Sequence, residues 1–231
     1  MSTGSTGQFS LFSAAWAILV KDIRSEFRTR VALNSILLFS VTTMLIVGFA
    51  AASGEPPPMV KIALFWVTLF FAAFSGLSHV FIHETETGSE IALRMAAPPG
   101  AVLAGKLCFN LLLTAVIAVV IGPLFWLMLG LSMARPFALI AVLAAGAISL
   151  CAAATIVAAI LAKAGGKGAL FGALGFPILM PLMLVALHAT RLTLIAEIPT
   201  DVIAIQIGGL LAYGIMIIAM SAILFPFIWD Q

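Results

Sequence analysis

Charge is what this sequence lacks most. Asp, Glu, Lys and Arg make up 9% of its 231 residues, while hydrophobic residues make up 63%. A soluble domain carries about 25% charged residues, so water cannot be the solvent for most of this surface and lipid must be. A net charge of +2 gives no basis for nucleic-acid binding. Cysteine is nearly missing as well. Cys108 and Cys151 both lie in apolar runs, which excludes a disulfide framework and reads as two small buried hydrophobes. No cleavable signal peptide is expected. Ala50-Ala51-Ala52 imitates a cleavage site, but the apolar run Val31–Ala52 before it exceeds the roughly 7–15 residues of a signal core.

A catalytic motif is missing too. Gly100-Ala101-Val102-Leu103-Ala104-Gly105-Lys106-Leu107 comes close to a phosphate-binding loop, but Leu107 stands where a hydroxyl must hold magnesium, and no strand precedes it. Lys106 is expected instead to snorkel to lipid headgroups. No nucleophile–base pair or metal motif is evident, so the chain is read as a non-enzyme with no bound cofactor or metal. His79 and His83 share a helix face at i,i+4, and His188 lies beside Arg191. With no third ligand nearby, polar helix-end roles outweigh metal or heme ligation.

What is present is a series of apolar runs, each near the 20 residues that a span requires. They are Val31–Ala52, Ile62–Ile82, Leu107–Leu131, Phe137–Ala162, Ala169–Thr190 and Val202–Ile228. The breaks are chemical: Gly54-Glu55-Pro56-Pro57-Pro58, the polar stretch His83–Gly100, Arg135-Pro136, the Gly/Lys turn 163–168, and Arg191–Asp201. The expected fold is an all-α integral membrane protein with six transmembrane helices. Residues 1–30 form a leader and residues 31–231 a permease-like domain with a loop at 83–106. Placing the N-terminus inside puts Lys21, Arg24, Arg28, Arg30, Arg94, Lys106, Lys163 and Lys167 on the cytoplasmic side. Only Lys61, Arg135 and Arg191 are then outside, so both termini are expected in the cytoplasm. In the leader, Phe9, Phe12, Trp16, Leu19, Ile23 and Phe27 recur every three or four residues, which predicts an amphipathic helix in the membrane interface.

The loop after the second run is the most informative segment. Thr87 and Glu90 have capping-box spacing, Glu90 and Arg94 form an i,i+4 acid–base pair, and Pro98-Pro99 interrupts. The spacing predicts a short helix over Gly88–Ala96 with Ile91, Leu93 and Met95 as apolar contact surface. Such a helix can pass a push from a soluble partner to the spans; the plain alternative is a solvated connector. Pro177 and Pro181 sit one turn apart in the fifth run. They should kink it, either as a flexing point for gating or as a static packing feature. Ala147, Cys151, Thr155 and Ala159 form a small-residue row that allows close helix approach.

Three segments together resemble a known family. They are Lys21-Asp22-Ile23-Arg24-Ser25-Glu26-Phe27-Arg28-Thr29-Arg30, the stretch Glu84–Glu90 followed by Pro98 and Lys106, and Gly175-Phe176-Pro177-Ile178-Leu179-Met180-Pro181-Leu182. In order and spacing they look like the permeases of ABC-2-type transporters, and in detail the chain is similar to the heme exporter protein B (CcmB) family of cytochrome c maturation. The resemblance implies a homodimeric permease bound to a separate CcmA-like ATPase, with CcmC-like and CcmD-like membrane subunits as further partners and heme as the species transported or handled. It implies a bacterial inner-membrane location. It also makes the 88–96 helix a coupling helix, with Glu84, Glu86, Gly88, Glu90, Ile91, Leu93 and Arg94 as its ATPase-coupling residues. It transfers heme ligation to none of the three histidines. An ABC-2 permease for another hydrophobic substrate and a self-contained secondary transporter are the rivals. The second usually places ionisable residues inside its spans, and these runs are almost free of charge between their ends.

Overall fold

The structure, a computed structural model, describes residues 11–52, 54, 56–86, 89–130, 134–163 and 168–229. Side chains are described for these except at 31–32, 51–52, 72, 75–86, 89–92, 128–129, 162–163, 168–174, 176 and 228. Among the described residues every regular element is an α-helix: α1 Leu11–Thr29, α2 Val31–Ala52, α3 Pro58–Glu86, α4 Ser89–Ala96, α5 Pro99–Leu129, α6 Pro136–Lys163, α7 Gly168–Thr193 and α8 Thr200–Trp229. The described residues are thus consistent with the all-α membrane protein that the long apolar runs predict. Stretches of α2, α5, α6 and α8 (Leu33–Ala50, Pro99–Leu127, Pro136–Leu161 and Thr200–Phe227) are long and apolar enough to cross a membrane. The described parts of α3 and α7 supply shorter apolar stretches, Pro58–Phe71 and Pro177–Thr193.

Five of the six apolar runs read from the sequence lie within one of these helices; the run Leu107–Leu131 follows α5 to Leu129, and Leu131 lies outside the described residues. Helix α3 continues past Ile82 to Glu86, because His83-Glu84-Thr85-Glu86 ends the hydrophobicity and not the helicity. Helix α5 starts at Pro99 rather than Leu107, since Pro98 is extended and Pro99 takes the first helical turn, where a missing N–H costs nothing. At its far end Gly130 adopts φ 58° and returns its N–H to the Trp126 carbonyl. Between α1 and α2 the chain turns at Arg30, left-handed at φ 54°. Glu26 secures that turn: its Oε1 accepts from the Leu33 N–H at 2.7 Å, a carboxylate at the positive end of α2.

Helix α6 is central and packs against α3, α5, α7 and α8. Small residues permit this. The row Ala147, Cys151, Thr155 and Ala159 is buried inside the fold, so its described role is intramolecular packing. Gly146 faces Trp66, and a Cβ there would overlap the indole. Trp66 spends its N–H on Thr190 Oγ1 of α7 at 3.0 Å. Around it Phe65 makes edge contacts with Trp66, Phe125 and Trp126 at centroid distances of 6.1, 5.2 and 5.4 Å. Lipid tails are as apolar as these side chains, so close packing and buried hydrogen bonds, rather than exclusion from water, hold such helices together. Gly214 on α8 makes the matching approach to Ser149 of α6, whose hydroxyl lies 2.7 Å from the Leu210 carbonyl.

Only one cysteine meets expectation. Cys151 is buried, 3.3 Å from Thr114 Oγ1, whereas Cys108 is exposed, because it lies across α5 from the packed face that carries Lys106 and Asn110.

Candidate functional site

The expected short helix is present as α4, eight residues between two long helices. It ends in backbone bonds that pass directly into α5: the Ala97 N–H reaches the Leu93 carbonyl at 3.0 Å, and the Ala101 N–H the Pro98 carbonyl at 3.0 Å. Leu93 and Ala97 pack against a small apolar cluster separate from the main core. Ile18 of α1, Ala101, Val102 and Leu103 of α5, Ala158 and Ala159 of α6, and Phe225 and Trp229 of α8 form it. Phe225 and Trp229 stack with centroids 5.4 Å apart, and the Arg94 guanidinium lies 5.5 Å over the Trp229 ring. A cation on that face is held by the ring quadrupole, which fixes α4 against the end of α8. Met95 points the other way and is 81% exposed.

The expected coupling residues divide accordingly. Glu84 and Glu86 lie on the last turn of α3 rather than in a loop. Gly88 falls outside the described residues. Glu90 and Ile91 lie on α4, but their side chains are outside the described set. Leu93 and Arg94 face the bundle, and among the described side chains of α4 Met95 is the large apolar one that is exposed.

Lys106 corrects the sequence reading. It does not snorkel to headgroups. It is fully buried, with Nζ 3.0 Å from Asp22 Oδ2 of α1. Asp22 is itself 5% exposed, and its Oδ1 meets Lys21 at 3.1 Å. Hydropathy leaves Lys106 just before the apolar run at Leu107, whereas α5 starts at Pro99, so Lys106 lies two turns inside the helix with α1 over it. The crossing point is Gly105: a Cβ there would lie 2.8 Å from Ile18 Cγ2 and 3.0 Å from the Ala15 carbonyl. The Gly100–Leu107 segment is therefore helix throughout, with its lysine committed to an aspartate. Helical backbone N–H groups already bonded along the helix cannot cradle a phosphate. Lys106, Asn110 and Thr114 continue at i,i+4 as a buried polar row on α5, and Asn110 Nδ2 donates to the Cys151 carbonyl at 3.3 Å. A sequence signal for the pair did exist. Asp22 is in register with Ala15 and Ile18 on α1, an acid on a packing stripe.

The apolar stripe of α1 divides between two faces. Phe12, Trp16 and Phe27 face outward, while Leu19 and Ile23 are partly buried. The face that seats α1 is Ala14, Ala15, Ile18 and Asp22, and the missing side chain at Gly105 makes room for Ile18 and the Ala15 carbonyl.

In α7 the helix continues through both Pro177 and Pro181. Tyr213 of α8 donates to the Ile178 carbonyl in the turn between them, so the disturbed segment is tied to its neighbour. His79 and His83 lie on α3 with side chains outside the described set, and His188 is exposed on α7. Among the described residues no three His, Cys, Asp or Glu side chains gather as a metal site. Two grooves open on the bundle. One, of about 620 Å³, lies between α3, α5 and α6 and is lined by Leu111, Ala118, Trp126, Leu139 and Leu143. The other, of about 360 Å³, lies between α1, α2 and α5, with Glu26, Arg30 and Asn34 beside Phe27, Phe109 and Leu113. Neither is lined by Asp22 or Lys106.

Against known proteins, the family model described as CcmB protein matches residues 13–227. No curated protein matches the chain.

Proposed function

The chain belongs to the CcmB family, and from that premise we propose that it is the membrane permease of an ABC transporter for c-type cytochrome biogenesis, powered by a separate ATPase subunit that seats on α4. The observation that carries this reading is α4 itself. It is a short helix braced from behind by Leu93, Ala97 and the Arg94–Trp229 contact, and it presents Met95 outward. A helix braced on one face, with Met95 exposed on the other, suits a push from a partner that passes into the bundle. ATP hydrolysis belongs to the CcmA-like partner, since this chain's one near-match loop is helix. CcmC-like and CcmD-like subunits complete the assembly, and two copies of this chain form its core. The larger groove is lined by apolar residues, which suits a hydrophobic cargo such as heme, or a purely mechanical role in ATP-driven release of a heme-loaded chaperone. Secondary transport fits less well. Its ionisable groups would line a cavity within the spans; the larger groove is lined by none, Glu26 and Arg30 of the smaller one sit at the α1–α2 turn, and the buried Asp22–Lys106 pair lines neither.

In this reading α2, α3, α5, α6, α7 and α8 are the six spans, α1 lies along the cytoplasmic interface, and both termini are cytoplasmic in a bacterial inner membrane. Exposed Leu11, Phe12, Trp16 and Phe27 on α1, with Lys21, Arg24, Arg28 and Arg30 beside them, suit an anionic bilayer surface. Reporter fusions test the topology. Fusions after Ser53 and within Arg191–Asp201 should read periplasmic, and those at Ser89, Gly166 and Gln231 cytoplasmic. A periplasmic C-terminus would break the arrangement. Reconstitution tests the function: the purified chain alone should bind no ATP, and its complex with the ATPase should hydrolyse it. Saturable ATP binding by the isolated chain would contradict the assignment.

A further inference from the structure

A buried ion pair is a poor way to gain stability. Desolvating two charges costs about as much as their attraction returns, and well-packed apolar residues often do as well. Asp22 and Lys106 are nevertheless both buried, 3.0 Å apart, in a chain with very few charges. What such a pair provides is position. An apolar contact tolerates a slide or a rotation, whereas a buried charge that slips from its partner is stranded in a low dielectric. The pair lies beside the close approach of α1 and α5, where Ala15 and Ile18 sit over Gly105, and adds a polar determinant to that steric one.

We propose that the Asp22–Lys106 pair is a positioning device that fixes α1 in register on α5. It thereby makes the interfacial helix move as one body with α4 and the adjoining ends of α5 and α8. The proposal rests on the reading of α4 as the coupling helix. Its structural basis is the shared cluster: Ile18 of α1, Leu93 of α4, Ala97 just beyond it, Val102 of α5 and Trp229 of α8 pack together apart from the main core. Arg94 over Trp229 closes it from the α4 side and Lys106 on Asp22 from the α1 side. A displacement of α4 therefore reaches α1, whose exposed Phe12 and Trp16 offer the bilayer surface a purchase. Asp22 and Lys106 are positioning residues; they touch no cargo and no nucleotide.

The test uses the assembled complex with its ATPase and a reporter thiol introduced by Ile18→Cys, at a position 4% exposed, in a Cys108→Ser background; Cys151 is buried. Into this go the uncharged pair D22L/K106M and the exchanged pair D22K/K106D. The uncharged pair should insert and co-purify with the ATPase, since apolar replacement removes the desolvation cost. Its reporter thiol should react with a maleimide about tenfold faster as α1 leaves its register, and cytochrome c maturation should fall by about tenfold. The exchanged pair should restore protection of the reporter and maturation together. A stability role predicts otherwise: the uncharged pair would then keep both protection and maturation, and that result would overturn the proposal. So would failure of the uncharged pair to insert, which would make the ion pair a folding requirement. Exposure of the reporter with normal maturation would overturn transmission through α1. The thiol readout does not depend on where the ATPase sits, so a wrong assignment of α4 would appear separately, as normal ATPase capture by α4 variants.

Discussion

Glu90→Lys is expected to leave the protein inserted in the membrane, to abolish its co-purification with the ATPase, and to stop cytochrome c maturation. Residue 90 lies in the first turn of α4, the element on which the partner is proposed to seat. The reversal acts in three ways. An acid at a helix start complements the positive end of the helix dipole, and a lysine there opposes it. The sequence spacing to Thr87 and to Arg94 loses a capping acid and an acid–base pair. A basic surface on the partner would meet a like charge. Truncating one member of a buried, hydrogen-bonded charge pair at an interface costs about 2–5 kcal/mol, and reversal adds repulsion. At about 1.4 kcal/mol per decade, the partner's affinity falls by at least roughly thirtyfold. Pull-down of the ATPase on the variant, with membrane fractionation alongside, measures this. Normal capture with normal cytochrome c would reduce the segment to a connector.

Gly146→Leu should have an effect of comparable size on the fold rather than on the partner. The first atom of any side chain at 146 would overlap the Trp66 ring, so α3 and α6 must separate or Trp66 must leave. Over-packing costs about 1–3 kcal/mol, and an unpaired buried indole N–H adds about 1–3 kcal/mol once the 3.0 Å bond to Thr190 is lost. The expected outcome is a large fall in the amount of folded protein extracted in mild detergent, read as the monodisperse peak after a heat challenge. A second change, Trp66→Val, should recover part of it by vacating the space. Wild-type thermal resistance in Gly146→Leu alone would mean that the α3–α6 contact is not packed as described.

The sequence disclosed the helices and concealed how they meet. Apolar runs bounded by Gly54-Glu55-Pro56, Arg135-Pro136 and the Gly/Lys turn are local signals, so α2, α6 and α8 were legible to within a few residues. Helix α4 was legible for the same reason: acid at its start, Arg94 at its end and prolines after it are short-range features. Lys106 was not. Its linear neighbourhood is that of a snorkelling residue, and its burial depends on α1, which folds over it from far away in sequence. The periodicity of α1 picks out its large aromatic residues and gives no sign of the face that packs on α5. A helix crossing over a glycine selects Ala14, Ala15 and Ile18, and leaves Phe12 and Trp16 outside. The same holds for α4, where spacing alone gives Leu93 and Met95 equal standing and only the fold turns Leu93 inward and Met95 outward.

Seating of the ATPase on α4 is tested most directly at Met95. At 81% exposure this residue can be replaced by a photo-crosslinking residue with little effect on the subunit's own packing. In cells that mature cytochrome c, irradiation should yield one protein adduct, with the ATPase subunit, and its yield should change with nucleotide. Adducts to lipid alone, or no adduct to the ATPase while maturation proceeds, would contradict the account.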